Sequence, residues 1–404
     1  MYQSANKDFT ITALRRHYTS PHGLYDVLRA HDSIYFDVSS QCWLVTGQAP
    51  VVTILGDSRF SSGLGANSIP QMASISKQML FMDGEMHQRA QSVMLRPLAQ
   101  MVKKMPADIK TFAHTALDSL QKTGEMDVVK EFASPVSLLA IAHVLGIPVH
   151  DQEELLQLER WSDTYSDVTS GYFRRDGMKD ISRLEDYFRG LIETKRRSPS
   201  DDLLGAFIEA KDIFLDEEDL ISNCMMVFAA GRVTTKKLLG NGIPVLLRQW
   251  EQLQTEFQGN PKLVPKLLGE ELLRVVTPTR YLIRQACEDV DLSTQFPGNH
   301  LIRQGEKVLL FLEAANHDPA SFSLPEQFDP QRRPNRHIAF GHGNHQCPGA
   351  TLARLEIQIA LAALLSLPNL HPKPHTVPLW NPNPNLGGFT SYAVVFEPST
   401  RSLF

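Results

Sequence analysis

The sequence has few cysteines, no excess of basic charge and no long apolar run. Its 404 residues include four cysteines, Cys42, Cys224, Cys287 and Cys347, none of them in a Cys-x-x-Cys pair. This spacing argues against a disulfide scaffold or a zinc ribbon and is typical of a reducing compartment. The 45 acidic residues outnumber the 40 basic ones, so the formal charge is −5. That balance excludes a general nucleic-acid-binding protein.

Targeting and membrane-spanning signals are also missing. The first residues, MYQSANKDFTITALRR, contain no apolar segment of the kind found in signal peptides. Residues 135–149 form the longest apolar stretch, but Ser137, His143, Gly146 and Pro148 interrupt it. It is shorter than the roughly 20 residues that a membrane-spanning helix requires. We therefore expect a cytoplasmic protein without a membrane segment.

The hydrophobic periodicity predicts a mainly α fold with a smaller β portion. Apolar residues recur at three- and four-residue spacings from about residue 85 to residue 253. Acidic first turns mark helix starts at 151–154 and 216–219, and Pro244 predicts a kink or an early end in the helix that contains it. The β-like runs are 43–46, 51–55, 281–285 and 307–311; a buried helix follows at 352–367, and short strands close the chain. With no repeat or linker in the sequence, we expect residues 1–404 to form a single domain.

The densest group of chemically active residues is FGHGNHQCPG at 340–349. This glycine-rich loop delivers one cysteine, Cys347, to the start of an apolar helix. Helix N–H groups or a bound metal can convert such a thiol to a thiolate near neutral pH. A single thiolate on a tight loop could be an axial ligand of haem iron. Gly341, Gly343 and Gly349 would let the backbone turn and approach a flat macrocycle closely.

Three other interpretations of the same residues are open at this point. An isolated buried cysteine is often only a small hydrophobic side chain. His342, His345 and Cys347 could supply part of a zinc site, although a fourth ligand is not evident. A catalytic cysteine with a distant histidine is the third.

The loop resembles the haem-binding signature of the cytochrome P450 superfamily, Phe-x-x-Gly-x-x-x-Cys-x-Gly. Phe340, Gly343, Cys347 and Gly349 match every fixed position. The resemblance implies the cytochrome P450 fold, with haem b held between a long central helix and the cysteine loop, and Cys347 as the axial ligand of its iron. The further haem-contacting residues that it implies are His345, Phe340, Gly341, Gly349, His87, Arg284 and Ala230.

Other segments resemble the family in the same order along the chain, from about residue 20 to residue 390. Glu271 and Arg274 match its structural Glu-x-x-Arg motif, whose side chains share one helix face and can form an ion pair. Arg284 resembles the strand arginine that reaches a haem propionate, and His87 resembles the propionate-binding histidine. Two positions depart from the pattern: Gln91 stands where the family has an arginine, and Gln327 stands where it has a basic residue that pairs with Glu271 and Arg274.

The central helix carries the most consequential departure. The family has a Gly-x-acid-Thr-Thr element there, and this chain reads Gly231-Arg-Val-Thr-Thr235. Thr234 occupies the position of the catalytic alcohol and Gly231 opens the helix groove, but Val233 replaces the acid. Because valine cannot carry protons, delivery of protons must use water, Thr234 alone, the substrate or another residue.

The resemblance implies a monooxygenase that uses O2 to hydroxylate or epoxidise a small lipophilic or aromatic substrate, in secondary metabolism. The alternatives are a diverted reaction, such as oxidative cyclisation or coupling, peroxide-driven oxidation with Arg232 facing an anionic substrate, and a haem sensor or carrier. By analogy, the substrate pocket would be lined by Phe228, Ala229, Val233, Thr277 and Phe389.

The implied partners follow from what the chain does not encode. It has no flavin- or nicotinamide-binding fingerprint, so electrons should come from a ferredoxin or flavodoxin and its NAD(P)H-dependent reductase. Arg96, Lys103 and Lys104 could form part of a basic docking face for that partner. We expect a monomer, and a substrate tethered to a carrier protein is an open possibility.

Overall fold

A computed structural model describes residues 16–17, 19–63, 75, 77–172, 177–214 and 216–398. The chain is mostly helical with a smaller strand portion, so the predicted fold class is confirmed. The α-helices are α1 His22–His31, α2 Gln48–Gly56, α3 Gly84–Lys104, α4 Pro106–Asp118, α5 Leu120–Thr123, α6 Ser134–Leu145, α7 Gln152–Thr169, α8 Gly177–Arg197, α9 Leu203–Glu209, α10 Glu217–Leu247, α11 Trp250–Gly259, α12 Leu263–Val276, α13 Leu312–Ala315 and α14 Ala350–Leu365.

The strands form small sheets at the periphery of the helices. They are β1 Ile34–Asp37, β2 Cys42–Val45, β3 Phe60–Ser61, β4 Glu125–Asp127, β5 Tyr281–Ala286, β6 Val290–Asp291, β7 Leu301–Ile302, β8 Lys307–Phe311, β9 His371–Pro372, β10 Leu379–Asn381, β11 Gly388–Ser391 and β12 Ala393–Val395. The largest sheet has the order β1-β2-β8-β5-β3, with β2 and β8 parallel and the other pairs antiparallel. Strand β5 therefore holds Arg284 next to the parallel pair.

Helix α10 begins where the acidic residues predict it. The side chain of Asp216 accepts a hydrogen bond from the Asp219 N–H at 2.8 Å, and the side chain of Asp219 accepts one from the Asp216 N–H at 3.3 Å. This capping box satisfies two donors at the exposed helix start. The helix continues through Pro244 to Leu247, so the predicted early end is wrong. Proline removes one helical hydrogen bond, and burial of the surrounding residues compensates for that loss.

One predicted strand is also wrong. The apolar run 51–55 lies in helix α2, with Val51, Ile54 and Leu55 buried. A short apolar run has no periodicity that separates a strand from a buried helix, and Pro50 in the first helical turn was the overlooked signal.

Helix α10 joins the two large hydrophobic cores. Its N-terminal half, including Phe228, packs in one core with α6 and α8, and its C-terminal half, including Leu239, packs in the other with α12 and α14. The segment Val128–Leu145 has the length and composition of a membrane span, but 72% of it is buried inside the protein. Its hydrophobicity is that of a core helix.

Candidate active site

The loop around Cys347 is shaped by two glycines with left-handed backbone conformations. Gly341 has a φ of 71° and Gly343 a φ of 74°, values that favour glycine. A Cβ atom at Gly343 would lie 2.5 Å from the carbonyl oxygen of Leu55, so only glycine fits against α2. The Cys347 N–H donates to the Phe340 carbonyl at 2.9 Å and closes the loop.

Cys347 lies just before the N-terminus of α14 and retains accessible surface, although protein atoms surround most of its thiol. The low polarity around it raises its pKa, while the N–H groups of Gly349 and Ala350 and the charge of Arg354 act in the opposite direction. Backbone donors and a cation thus already point at the sulfur, but they do not offset burial. A bound metal ion would supply the remaining stabilisation of a thiolate.

Helix α10 presents an exposed stripe although most of the helix is buried. Met226, Ala230 and Thr234 recur at four-residue spacing, and all three retain accessible surface, as does Gly231. Accessible positions on one face of a core helix mean that this face borders a cavity. Because α10 packs against α14, the stripe and the thiol belong to adjoining elements.

Within this stripe, Thr234 turns its hydroxyl back on its own helix. The Oγ1 atom donates to the Ala230 carbonyl at 2.8 Å, a common arrangement for threonine in helices. Val233 is buried. No carboxylate therefore stands beside Thr234 on α10 at the position where the family has its acid.

A buried acid instead approaches from α14. Glu356 is 1% exposed, and burial raises the pKa of its carboxyl well above the usual range. The hydroxyl of Thr235 interacts with it, but neither carboxyl oxygen has a hydrogen-bond partner within ordinary limits among the described residues. Burial thus favours the protonated form of Glu356, which lies against the residue next to Thr234.

His87 and His345 meet on the side of the loop towards α3. Their ring centroids are 3.8 Å apart, and His345 Nε2 lies 3.0 Å from Ser62 Oγ and 3.4 Å from Asp83 Oδ1. Burial lowers the pKa of both imidazoles, that of His345 to about 4, and Arg284 lowers both further. The carboxylate of Asp83 acts on both imidazoles in the opposite direction, but it does not offset their burial.

Arg284 has no anion in contact with it, and the charge of Asp83 only partly offsets the effect of its burial. Its side chain is buried, and burial lowers its pKa. Among the described residues it forms no salt bridge, and its guanidinium donates only to the Ile283 carbonyl, at 2.8 Å. A buried cation without an ion partner is costly unless an anion binds there. Arg284, His87 and His345 therefore fit the two carboxylates of a haem, and Cys347 fits its iron.

The Glu-x-x-Arg pair forms the buried centre of a network. Arg274 donates to Glu271 at 2.7 and 3.0 Å, and both side chains are fully buried. Gln327 accepts from Arg274 through its carbonyl alone, at 2.9 Å. Arg332 supplies the missing base, with its Nε 3.1 Å from Glu271 Oε1. Arg332 is not among the residues predicted from the sequence, although an arginine only five residues beyond Gln327 was an available signal.

Gln91, the other departure, is compensated without charge. Its amide donates to the Asn344 carbonyl in the cysteine loop at 3.4 Å, while Arg89 faces away and pairs with Asp212 at 3.1 Å.

Glu270 is another residue that was not predicted from the sequence. It accepts a hydrogen bond from Arg354 at 2.6 Å, and the guanidinium of Arg354 lies 4.5 Å from the centroid of the Phe340 ring.

The five residues named for the substrate pocket occupy different environments. Phe228 and Ala229 lie in the hydrophobic core, and Phe228 packs on Phe188. Thr277 is fully buried, and its hydroxyl donates to carbonyls at the end of α12. Phe389 is partly exposed and packs edge-on against Trp380. Val233 is buried. Between residues 226 and 235 of α10, the accessible positions are Met226, Ala230, Gly231 and Thr234.

Arg232 points away from the accessible stripe, towards α7. It is fully buried and donates to Glu159 Oε1 at 2.9 Å, Asp163 Oδ1 at 2.8 Å and Ser162 Oγ at 2.6 Å. Lys236 also pairs with Asp163, at 2.7 Å. These contacts engage both terminal nitrogens of Arg232, and its Nε is buried away from the stripe, so the guanidinium does not face an anionic substrate there.

Comparisons with known proteins agree with this arrangement. A family model described as cytochrome P450 matches residues 267–394. The biotin biosynthesis cytochrome P450 of Bacillus subtilis is 34% identical over 375 residues, which cover 89% of this chain and 92% of the relative. A steroid C26-monooxygenase of Mycobacterium tuberculosis is 31% identical, with 93% of each chain covered.

A solved structure extends the similarity to the fold. The crystal structure of P450BioI in complex with a hexadec-9Z-enoic acid-ligated acyl carrier protein aligns with a TM-score of 0.83 and 32% identity. The alignment covers 95% of this chain and 100% of that one. The fold and the site thus define a haem-thiolate oxidoreductase. The chain belongs to the cytochrome P450 family and is a P450 monooxygenase, with haem b as cofactor and O2 as co-substrate.

Proposed function

We propose that this monooxygenase hydroxylates or epoxidises a small lipophilic or aromatic molecule of secondary metabolism. The observation that carries the proposal is the accessible stripe of α10, which offers Met226 and Ala230 as apolar surface beside the hydroxyl of Thr234. Apolar walls with one polar group are typical of sites for lipophilic ligands.

The chain's residues divide the work as follows. Bound haem supplies the activation of O2, and the thiolate of Cys347 donates the electron density that favours O–O cleavage. His87, His345 and Arg284 hold the propionates, and Phe340, Gly341, Gly349 and Ala230 pack against the macrocycle. Thr234 and Gly231 would border the oxygen-binding space on the α10 side of the haem. There the Thr234 hydroxyl would position protons for oxygen activation.

Proton delivery in this proposal runs from α14. Burial favours the protonated form of Glu356, and its carboxyl contacts Thr235, so it can hold a proton within one residue of Thr234. This supports ordinary hydroxylation despite Val233. The acids on α7, Glu159 and Asp163, are already engaged by Arg232 and Lys236.

The proposed partners are those of a P450 without its own reductase. A ferredoxin or flavodoxin with its NAD(P)H-dependent reductase would dock on the basic residues Arg96, Lys103 and Lys104. The protein would work as a cytoplasmic, single-domain monomer. Because one relative was crystallised with an acylated carrier protein, a carrier-tethered substrate is the second form to test.

The test is an optical titration of the ferric enzyme with lipophilic and aromatic scaffolds, each offered free and as a carrier-protein thioester. A low-spin to high-spin Soret shift identifies a ligand that displaces water from the iron. Conversion of that ligand to a product containing one added oxygen atom supports the proposal. If no free or tethered compound shifts the spectrum, a lipophilic substrate is contradicted.

A second candidate function rests on Val233. Without an acid on α10, proton supply is limited, and a substrate radical could instead close a ring or couple to a second atom. Product analysis with the same ligand separates the two outcomes, because cyclisation or coupling removes two hydrogen atoms and adds no oxygen. A sensor or carrier would show neither product, and Thr234→Ala would leave its ligand response unchanged.

A further inference from the structure

A cluster of metal-ligating side chains lies outside the haem site. His22 at the start of α1, His317 just after α13 and Glu326 in the following loop each offer one ligand atom, and these atoms all lie within 4.8 Å of one another. Two imidazoles and a carboxylate are the donor set of three-ligand zinc sites that keep a fourth position for water.

His317 is oriented as a ligand. It is 3% exposed, and its Nδ1 lies 2.9 Å from the Glu313 carbonyl oxygen. A carbonyl contact at Nδ1 places the proton there and leaves the lone pair on Nε2, the usual way in which a neighbouring group fixes a metal-binding imidazole. Among the described residues Nε2 has no hydrogen-bond partner.

His22 completes the pair of imidazoles. Its ring centroid lies 4.4 Å from that of His317, and its buried Nδ1 atom has no hydrogen-bond partner in the described part of the chain. Its Nε2 is 3.9 Å from a carboxylate oxygen of Glu313, whose charge is already paired with Arg280 at 3.2 Å. An unsatisfied buried nitrogen costs free energy that a metal ion would offset.

Glu326 provides the third ligand from the solvent side. It is exposed, so a hydrated cation could reach the cluster and exchange its water for the carboxylate. We propose that His22, His317 and Glu326 bind one divalent metal ion, and that this ion is zinc. The bound ion would connect α1 to the loop between α13 and the cysteine loop. The site is independent of the haem reaction.

The experiment is equilibrium dialysis of the haem-loaded enzyme against buffered Zn²⁺. The wild type should bind one zinc per chain, and Glu326→Gln and His22→Gln should each weaken that binding by at least roughly tenfold. His143→Gln is the matched control, because His143 is an exposed imidazole 3.8 Å from Asp108 without a third ligand, and it should change nothing.

The second measurement is thermal unfolding, which does not depend on enzyme activity. Zinc should raise the unfolding temperature of the wild type and of His143→Gln, but not of Glu326→Gln, while the Soret spectrum stays the same in all three. Equal zinc binding by wild type, Glu326→Gln and His22→Gln would overturn the proposal. Absence of stoichiometric zinc binding by the wild type would do the same.

Discussion

At the scale of single residues, the site differs from the family pattern in the positions of one acidic and one basic side chain. Val233 stands where the family has an acid on α10, and Glu356 on α14 places a carboxyl with a raised pKa against Thr235. Gln327 removes a base, and Arg332 restores it five residues later. For Gln327 the contact observed with Arg332 replaces the missing base, and for Val233 we propose that Glu356 replaces the missing acid.

The first prediction concerns Glu356. Replacing it by Gln keeps the size of the side chain but removes the transferable proton, so product formed per electron pair should fall by roughly tenfold or more. The measurement is the ratio of product to NADPH consumed, with peroxide release as the complement. Glu251→Gln, an exposed change on α11, is the control. Unchanged coupling in Glu356→Gln would show that protons take another route.

The second prediction concerns Arg332. Replacing it by Ala leaves Glu271 with one cation fewer in a buried network, so the free energy of unfolding should fall by about 3 kcal/mol. Arg336→Ala, an exposed change in the same loop, should stay within about 0.5 kcal/mol of wild type. Denaturant unfolding of the haem-loaded protein measures both. Equal stability of the two variants would mean that Gln327 leaves the network without a base.

Several of these residue roles follow from the sequence, and others could not. Cys347, Glu271 and Arg274 sit in motifs whose spacing is itself the signal. Arg332 and Glu356 act through partners more than 50 residues away in the chain, and a single sequence contains no information on which distant residue they meet. The roles of the haem-contacting residues remain predictions.

At the scale of elements, α10 is held to α7 by ion pairs whose two cations are buried. Arg232 and Lys236 on α10 face Glu159 and Asp163 on α7. These cations lower the pKa of Asp163 far below its usual range, although burial opposes them. The network fixes α7 over the helix that carries Thr234.

The third prediction follows from this network. Arg232→Ala would leave two carboxylates facing each other, with Lys236 as their remaining cation, and should lower the free energy of unfolding by about 3–5 kcal/mol. Arg183→Ala, which removes an exposed arginine from α8, is the control. If Arg232→Ala unfolds, Arg232→Lys should restore part of the stability. A loss no larger than that of Arg183→Ala would contradict the assigned contacts.

The fourth prediction concerns the link between α12 and α14. Burial opposes ionisation of Glu270, but hydrogen bonds from His337 and Arg354 dominate and lower its pKa to about 2. Because the folded pKa is below the unfolded one, this stabilisation is complete above about pH 4.5 and is lost as pH falls towards 2.

The stability difference between wild type and Glu270→Gln should therefore shrink between pH 5 and pH 3, measured by denaturant unfolding. Glu397→Gln, an exposed acid near the end of the described chain, provides the control slope. A difference that does not change with pH would show that Glu270 is not ionised within this contact.

Element boundaries show where sequence reasoning works. The capped starts of α7 and α10 were predicted, because Asp151 and Asp216 act on donors only three residues away. The strand predicted at 51–55 is helical, because packing against neighbouring elements decides the state of a short apolar run. Likewise, the packing of Ile243 and Leu246 in the core carries α10 through Pro244.

At the scale of the whole molecule, one helix organises the fold and the chemistry. Helix α10 contributes to both hydrophobic cores and presents Thr234 on an accessible stripe, while α14 carries Glu356 and follows directly after Cys347. The fold class could be predicted, since helical periodicity extends over most of the chain. The accessible stripe could not, because Met226 and Ala230 are indistinguishable from core residues in the sequence.

The most direct test of the account is the ligand of the haem iron. Iron K-edge X-ray absorption of the ferric holoenzyme should show one sulfur scatterer in the wild type and in Cys287→Ser, which changes the other exposed cysteine. Cys347→Ser should lose that sulfur and the thiolate-type optical spectrum. Retention of the sulfur scatterer in Cys347→Ser would contradict the central claim.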